Sequence, residues 1–239
     1  MAIGAHVIKC GLSPIIIDLM KRGIITAVAM NGSGAIHDYE ISLIGKTSED
    51  VSHSLKDGSF GMARETAEAI QAAASVFAYG LGRAVGDKII KDKNKYKQHS
   101  ILATGIKLNI PTTVHAAIGT DVIYMHPEIS GGEMGESSHF DFKLLCSVVA
   151  ELEGGVWFNV GSAVIMPEVF LKALTVARNL GRKVKNFTTV NMDMIQHYRP
   201  LTNVVTRPTT HGYSVTGHHE IMLPLLRLGI LSKLTSKRS

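Results

Sequence analysis

The segment Ile24-Ile-Thr-Ala-Val-Ala-Met30, followed directly by Asn31-Gly-Ser-Gly-Ala-Ile-His-Asp38, decides the fold of this chain. The first part is an apolar, β-branched run that predicts a strand, and the second part is a turn of small residues. A strand that feeds a glycine-rich turn often holds a phosphate or nucleotide in α/β proteins, because glycine lets the backbone approach a ligand and the next helix presents its amides. The spacing is neither GxGxxG nor a P-loop, so a tight connection without a ligand stays open as an alternative.

Strand and helix patterns alternate along the whole chain, which predicts an α/β fold with a doubly wound, mostly parallel sheet. Helices are expected at Pro14–Arg22, Gly61–Val85, Phe140–Leu152, Pro167–Leu180 and Glu220–Leu228. Strands are expected at Ile24–Met30, Thr112–Ala116, Val122–Met125, Val156–Val160 and Lys185–Val190. The acidic run Glu128–Glu136 is expected to be a flexible loop, either a solvated lid or a cation site. We expect one nucleotide-binding domain over residues 1–231 and a basic tail over 232–239.

The composition is that of an ordinary globular protein, with 45% hydrophobic and 19% charged residues among 239. No apolar run reaches the roughly 18 residues of a membrane span, and no signal peptide is recognisable, so we predict a cytoplasmic protein without a membrane partner. Much of the net charge of +5 comes from Lys88–Lys97 and Lys233–Ser239. The chain has no interleaved aromatic platform and no recognised nucleic-acid module, so nucleic acid is not an expected partner. Cys10 and Cys146 lack Cys-x-x-Cys spacing and are expected to be buried free thiols.

The N-terminal region resembles one segment of deoxyhypusine synthase. The resemblance is collinear from Gly4 to Leu43, and it returns in weaker form around Asn109–His126, Val156–Val164 and Ile221–Leu226. It implies a NAD cofactor, a small-molecule amine or polyamine substrate, and a homo-oligomer, a dimer of dimers, whose active sites are shared between subunits. A first strand reduced to a stub and the alanine-rich part of Gly61–Val85 are compatible with such an assembly, although the alanines can also pack on their own sheet.

In deoxyhypusine synthases the loops that match three segments of this chain contact NAD. The resemblance places cofactor contacts at the following residues: His6, Lys9, Asn31, Gly32, Ser33, Gly34, Asp38, Gly161 and Ser162. A cation such as Lys9 pairs well with a diphosphate. The alternative is that Lys9 is a surface residue and His6 a satisfied turn residue. His37 replaces an acid that engages the cofactor sugar in the family, so this contact loses its carboxylate here.

The candidate catalytic residues follow from the same resemblance and from acid–base chemistry. Asp121 resembles the aspartate that faces the polyamine amino group, and an anion suits an ammonium. Thr206-Arg-Pro208 stands where the family has Trp-Gly-Lys, and an arginine guanidinium stays protonated and cannot form an imine. We therefore do not expect deoxyhypusine as the product. The candidate catalytic residues are His37, Asp121, His218, His219 and Arg207, with His115 as a further imidazole.

Three functional hypotheses follow. The first is a NAD-dependent transferase-type enzyme that acts on a small amine. The second is a catalytically silent paralogue that binds nucleotide as a regulatory or structural subunit, and the third is a hydrolase that uses the histidine-rich segment His211–Glu220. His218, His219 and Glu220 are adjacent and cannot all reach one ion without an unusual backbone, so the sequence predicts a helix-start cap there and no metal.

Overall fold

Six parallel strands form one sheet in the computed structural model, which describes residues 1–47 and 51–236. The strands are β1 (Ala2–Ile3), β2 (Val28–Asn31), β3 (Thr112–His115), β4 (Val156–Val160), β5 (Thr188–Asp193) and β6 (His211–Thr216). Their order is β3-β2-β1-β4-β5-β6, and every neighbouring pair is parallel. The strand order reverses between β1 and β4, which makes this pair the topological switch point of the sheet.

Helices cover both faces of the sheet. They are α1 (Ala5–Lys9), α2 (Ser13–Lys21), α3 (Gly32–Ile44), α4 (Val51–Asp57), α5 (Arg64–Ala74), α6 (Leu81–Lys91), α7 (Ile101–Leu108), α8 (Gly131–Ala150), α9 (Ile165–Asn179), α10 (Tyr198–Pro200) and α11 (His219–Ser236). One apolar core lies under α1–α3 and α5–α7, and a second lies under α8 and α9. The predicted doubly wound α/β fold is confirmed. Among the described helices, none combines the length and apolar character that crossing a membrane requires.

Several predicted elements differ from the structure. Val122–Met125 is a 3₁₀ turn instead of a strand, because Asp121 anchors its start in a loop. The predicted helix Gly61–Val85 is broken into α5 and α6 at Gly80, whose φ is +81°. A Cβ atom on Gly80 would lie 2.0 Å from Asp141, so the break makes room for a carboxylate of α8. The predicted loop Glu128–Glu136 becomes the start of α8 at Gly131.

The fold removes one of the two sequence arguments for self-association and weakens the other. β1 is a short strand, as expected, but it lies in the middle of the sheet and leaves no edge to cover. Four of the six alanines on which the second argument rests, at positions 67, 69, 73 and 74, are buried within the chain itself, whereas those at 72 and 78 are exposed. A dimer of dimers therefore stays a prediction. The predicted basic tail is helical through Ser236, and its residues 237–239 lie outside the described residues.

Candidate functional site

The carboxyl ends of the strands meet at one edge of the sheet, with the switch point in the middle of that edge. The two segments that leave β1 and β4 cross closely there: the Gly4 amide donates to the Val160 carbonyl at 2.8 Å. A Cβ atom on Gly4 would lie 1.9 Å from the Gly161 carbonyl oxygen, so no side chain fits between the loops. The chain then continues into α1 on one face and α9 on the other. In open α/β sheets the position between two such diverging loops is where a ligand-binding crevice forms.

The loop after β2 is predicted from the sequence to hold phosphate. In the structure it contacts a carboxylate of the protein itself, that of Asp121. Asn31 Oδ1 accepts from the Gly34 amide at 3.0 Å and so caps α3. The Ser33 hydroxyl donates to Asp121 Oδ1 at 2.8 Å. A Cβ atom on Gly32 would lie 2.1 Å from Asp121 Oδ2, so the glycine makes room for this carboxylate. Cofactor contacts by Asn31, Gly32, Ser33 and Gly34 stay a prediction that would bring a phosphate next to a resident carboxylate.

Asp121 connects two loops of this edge. It is buried, with 4% of its surface exposed, and it also accepts from the Ala117 amide at 2.9 Å. Burial raises the pKa of this carboxyl group, against the opposing effect of the hydrogen bonds from Ala117 and Ser33. These contacts hold the loop after β3 against the start of α3. The predicted catalytic role of Asp121 toward a substrate ammonium is not tested by this geometry.

Asp38 and His115 lie deep in the protein. Asp38 is fully buried and accepts from the Ser100 hydroxyl at 2.5 Å and from the Ile101 and Leu102 amides at 2.8 and 3.1 Å, so it caps α7. Burial raises the pKa of Asp38 to about 6 and lowers the pKa of His115 to about 4. A cofactor contact by Asp38, as predicted, would require this helix cap to open.

A cavity of about 130 Å³ lies beside α1 and α3 at this edge. Apolar side chains such as Ile36 and Phe60 form much of its wall. The polar residues of the wall are Lys9, Ser33, His37, Glu40, Thr47 and Thr66. His37 Nδ1 lies 2.9 Å from Glu40 Oε2, so the buried carboxylate orients the imidazole. The imidazole–carboxylate pair can hold an ammonium group and exchange a proton with it, provided that an anion neutralises the Lys9 ammonium on the same wall.

On the other side of the switch point, the loop after β4 is rigidly held. Gly161 adopts a φ of +66°. Ser162 Oγ accepts from the Met166 amide at 3.1 Å, and the Ser162 carbonyl accepts from Asn159 Nδ2 at 2.9 Å. The hydroxyl thus supports the start of α9. Gly161 and Ser162 follow β4 at the switch point, and their contact with a cofactor stays a prediction.

The His219 imidazole packs against this loop. A Cβ atom on Gly161 would lie 2.8 Å from His219 Nε2, and only 1% of His219 is exposed. Within the described residues neither ring nitrogen of His219 has a hydrogen-bond partner. Asp193 Oδ1 lies 3.7 Å from Nε2, beyond hydrogen-bond distance. Burial lowers the pKa of His219, although the Asp193 charge acts in the opposite direction. A buried imidazole of this kind offers an unused polar contact to a ligand.

A second group of polar residues joins α1 to α11. His6 Nε2 lies 3.2 Å from Cys10 Sγ, and Glu220 follows directly after His219. One donor atom from each of His6, Cys10 and Glu220 lies within 4.8 Å of the others. Burial and the neighbouring Glu220 raise the pKa of the Cys10 thiol to about 11. Cys10 and Cys146 are both free, as predicted, but both are partly exposed instead of buried.

The structure separates two of the predicted catalytic residues from the rest. Arg207 is exposed, donates to Asn203 Oδ1 at 2.9 Å, and precedes β6. Because the strands are parallel, residues before a strand lie at the amino edge of the sheet, opposite the crevice. His218 is exposed whereas His219 is buried, so the adjacent imidazoles do not form one face.

Sequence reasoning missed Glu40, Cys10 and Asp193 as site residues. The spacing of His6 and Cys10, four residues apart on a helix, was a usable signal because such residues share a helix face. The spacing of His37 and Glu40 was a similar signal. Asp193 is the last residue of β5, and the predicted strand ends three residues earlier, at Val190.

The fold occurs in other solved structures. A LOR/SDH protein of Methanococcus maripaludis S2 is 20% identical and aligns over 98% of this chain and 62% of its own, with a TM-score of 0.57. AgrE in a ternary complex with ornithine and NAD⁺ is 16% identical over 99% of this chain and 30% of its own, with a TM-score of 0.62. ArgZ, an arginine dihydrolase from cyanobacteria, is 17% identical over 98% of this chain and 29% of its own, with a TM-score of 0.57.

This chain has the Rossmann-like α/β fold of these proteins. It spans about 62% of the length of the Methanococcus protein and about 30% of the length of the other two. None of the three is a deoxyhypusine synthase, so the resemblance to that family stays a prediction. Comparisons with protein-family models and with curated proteins each return no match.

Proposed function

We propose that this chain binds a nicotinamide dinucleotide in the crevice at the β1–β4 switch point and is a NAD-dependent enzyme of transferase type acting on a small amine. The observation that carries the proposal is the crossing of Gly4 and Gly161, where the backbone of two loops comes together without side chains. Ligands of open α/β sheets bind at such switch points. The likeness to AgrE supports the choice of ligand, because that protein is in complex with ornithine and NAD⁺.

Charged groups next to the crevice suit a dinucleotide. Lys9 and His6 are exposed on α1, directly after the crossing. The Lys9 ammonium is the cation for a diphosphate. The loop at Gly161 is held by Ser162 and backed by His219, whose free ring nitrogens supply a polar contact to the nicotinamide or ribose part. This assignment places the cofactor at the loops after β1 and β4, away from the loop that Asp121 occupies.

The amine is assigned to the cavity beside α3. Glu40 holds His37 through Nδ1 and leaves Nε2 as the ring nitrogen that exchanges a proton with the substrate. A bound nicotinamide dinucleotide would supply hydride acceptance. His37 then removes a proton from the amine, and the Glu40 carboxylate stabilises the imidazolium that results. The cavity volume of about 130 Å³ restricts the substrate to a slender group.

Deoxyhypusine synthesis itself is not part of the proposal. The family's imine lysine is replaced by Thr206-Arg-Pro208, and Arg207 lies at the opposite edge of the sheet from the crevice. Incubation with spermidine, NAD⁺ and the translation-factor substrate, followed by borohydride trapping and mass spectrometry, should give no butylated product. A trapped adduct on any lysine of this chain would overturn that assignment.

A second candidate function is a catalytically silent nucleotide-binding subunit. The observation that favours it is the use of Asp38 and Asp121 in internal hydrogen bonds, which removes two predicted polar groups from ligand contact. The two candidates differ at His37. If the chain is an enzyme, His37→Ala retains the dinucleotide affinity and abolishes turnover of any amine that the wild-type protein oxidises or transfers.

Dinucleotide binding is tested by calorimetric titration with NAD⁺, NADH, NADP⁺ and NADPH. We expect one of the four to bind, and Lys9→Glu to weaken that binding by about tenfold, which corresponds to about 1.4 kcal/mol. Lys21→Glu is the matched control, because Lys21 is also exposed but lies at the far end of α2. Absence of binding at millimolar concentration for all four dinucleotides would refute the proposal, as would equal losses in both variants.

A further inference from the structure

A second chemical feature of this edge is separate from the proposed amine cavity and shares only His6 with the surroundings of the proposed dinucleotide crevice. His6 and Cys10 lie four residues apart on the first helix after β1, and this spacing puts both side chains on one face of that helix. Glu220 lies in the first turn of α11, which follows β6. Two elements that are distant in sequence thus bring an imidazole, a thiol and a carboxylate together.

The distances within this cluster suit the coordination of one metal ion. Donor atoms of His6, Cys10 and Glu220 all lie within 4.8 Å of one another, and His6 Nε2 lies 3.2 Å from Cys10 Sγ. Ligand bonds of about 2.3 Å to sulfur and about 2.05 Å to nitrogen at a tetrahedral angle separate the two donor atoms by about 3.6 Å. The observed pair needs to open by only a few tenths of an ångström to accept an ion.

A buried neighbour gives a second indication, because it has two unpaired ring nitrogens and the proposed cofactor contact uses only one of them. The His219 ring packs against His6 with its centroid 5.7 Å away, in an edge-to-face arrangement. His219 is 1% exposed, and in the described part of the chain neither of its ring nitrogens has a hydrogen-bond partner. Native structures rarely leave such groups unpaired. A metal-bound water or ligand next to His6 would provide a polar partner at this position.

We propose that His6, Cys10 and Glu220 form a binding site for Zn²⁺. Thiolate, imidazole and carboxylate are the three ligand types that zinc takes, whereas magnesium and calcium take oxygen ligands. The thiolate and the carboxylate together supply two negative charges, which balance the charge of the ion. Three protein ligands leave the fourth tetrahedral position to water or to a substrate group, as in catalytic zinc sites. His6 and Glu220 are exposed, so the ion has a path to the site.

Cobalt substitution tests the site directly. The reduced full-length chain, stripped of metal with a chelator, is titrated with Co²⁺ in the absence of any nucleotide. We expect a thiolate-to-cobalt charge-transfer band that saturates at one ion per chain, and its loss on addition of one equivalent of Zn²⁺. Because no nucleotide is present, a failure of NAD binding leaves this result unaffected, and a failure of cobalt binding leaves the proposed function unaffected.

Matched variants identify the ligands. Cys10→Ser should abolish the charge-transfer band, whereas Cys146→Ser should retain it. His6→Ala and Glu220→Gln should each weaken Zn²⁺ binding by about 100-fold or more, beyond the loss for an outer-shell partner. His99→Ala, which removes another exposed imidazole, should leave the affinity unchanged. Circular dichroism of each variant confirms folding. Absence of the band in the wild-type chain, its persistence in Cys10→Ser, or its loss in Cys146→Ser would overturn the assignment.

Discussion

Two glycine-bearing loops at the same edge of the sheet differ in what occupies the space beside the glycine. Beside Gly32 lies the Asp121 carboxylate, which accepts hydrogen bonds from Ser33 and Ala117. Beside Gly161 lies the His219 imidazole, and neither of its ring nitrogens has a hydrogen-bond partner in the described residues. The polar group beside the first glycine has its hydrogen-bond partners within the protein, whereas the polar group beside the second glycine does not.

This difference teaches how to interpret glycine in a loop. A missing Cβ atom indicates that something approaches the backbone closely, and that partner is either a ligand or another part of the protein. The two cases differ in whether the group that approaches the glycine already has its hydrogen-bond partners within the protein. A satisfied carboxylate points to a structural anchor, whereas an unpaired buried imidazole costs about 1–3 kcal/mol and is retained where a ligand supplies the partner.

The largest expected effect concerns the crossing itself. Gly4 has a φ of −86°, which any residue adopts, so Gly4→Ala acts only through the clash of its Cβ atom at 1.9 Å from the Gly161 carbonyl. Backbone cannot move aside as a side chain can, and we expect a loss of about 3 kcal/mol or more in the free energy of unfolding. Urea denaturation measures it.

The control for this substitution is Gly131→Ala. A Cβ atom there meets nothing within 4 Å, so we expect no loss of stability. Equal stability of the two alanine variants would show that the loops do not cross as closely at Gly4 as described. The comparison between the two glycine loops would then lose its basis.

The next effect is the pH dependence of the free energy of unfolding that arises from Asp38, a second carboxylate held in internal hydrogen bonds. Burial raises the pKa of Asp38 from 3.8 to about 6, so the native state binds this proton more tightly than the unfolded chain. The resulting stabilisation is fully present below the unfolded pKa and is lost as the pH rises through the folded pKa, a change of about 3 kcal/mol.

The wild-type advantage over Asp38→Asn in the free energy of unfolding, measured by urea denaturation, should therefore fall as the pH rises from 4 to 6. The comparison with the variant is needed because His115, whose pKa burial lowers to about 4, adds a rise with pH that both proteins share. A residual slope toward pH 7 is expected from Asp141, whose pKa burial raises to about 7. A wild-type advantage over Asp38→Asn that grows with rising pH would show that Asp38 is anchored as a carboxylate, like an ordinary helix cap.

A smaller effect is expected at the satisfied loop. Asp121→Ala leaves the Ser33 hydroxyl and the Ala117 amide without their acceptor, so we expect a loss of about 2 kcal/mol of stability. Asp121→Asn keeps one acceptor oxygen and should lose less. Dinucleotide affinity, measured by calorimetry, should stay within about twofold, less than 0.5 kcal/mol. A tenfold loss of dinucleotide affinity in Asp121→Asn would show that the loop after β2 contacts the cofactor.

The smallest effect on stability is expected at the unsatisfied imidazole, and with the opposite sign. His219→Leu removes a buried polar group without breaking a hydrogen bond, so we expect an increase of about 1 kcal/mol in the free energy of unfolding. Dinucleotide affinity should fall. The matched control is His115→Leu, which deprives Thr113 of its partner at 3.0 Å and should destabilise the protein. Destabilisation by both substitutions would remove the distinction on which the comparison rests.

The sequence alone predicted a strand correctly where β-branched and aromatic residues follow one another without interruption. β4 was predicted to the residue because Val156–Val160 is rich in β-branched and aromatic residues and follows two glycines. β6 was missed because His211–Thr216 is an edge strand with mostly exposed, polar residues and no apolar run. Val122–Met125 has the composition of a strand, but the anchored Asp121 before it gives a 3₁₀ turn, an override of propensity by tertiary contact.

The edge that carries the candidate site was predictable, because parallel strands bring all their carboxyl ends together. The partners of each polar group were not. Asp38 and Ser100 are 62 residues apart, and Ser33 and Asp121 are 88 apart, so no local pattern reveals these hydrogen bonds. The sequence therefore identified polar residues at this edge of the sheet, but it could not show which of them form hydrogen bonds within the protein and which are available to a ligand.

Hydrogen exchange with and without NAD⁺, followed by mass spectrometry, tests most directly whether a dinucleotide binds at the crossing of the loops after β1 and β4. The account predicts slower exchange in peptides that cover Gly4–Cys10 and Gly161–Met166, with little change over Asn31–His37, where Asn31 and Asp121 already occupy the amides. Protection confined to Asn31–His37, or no protection at a NAD⁺ concentration that saturates calorimetric binding, would contradict it.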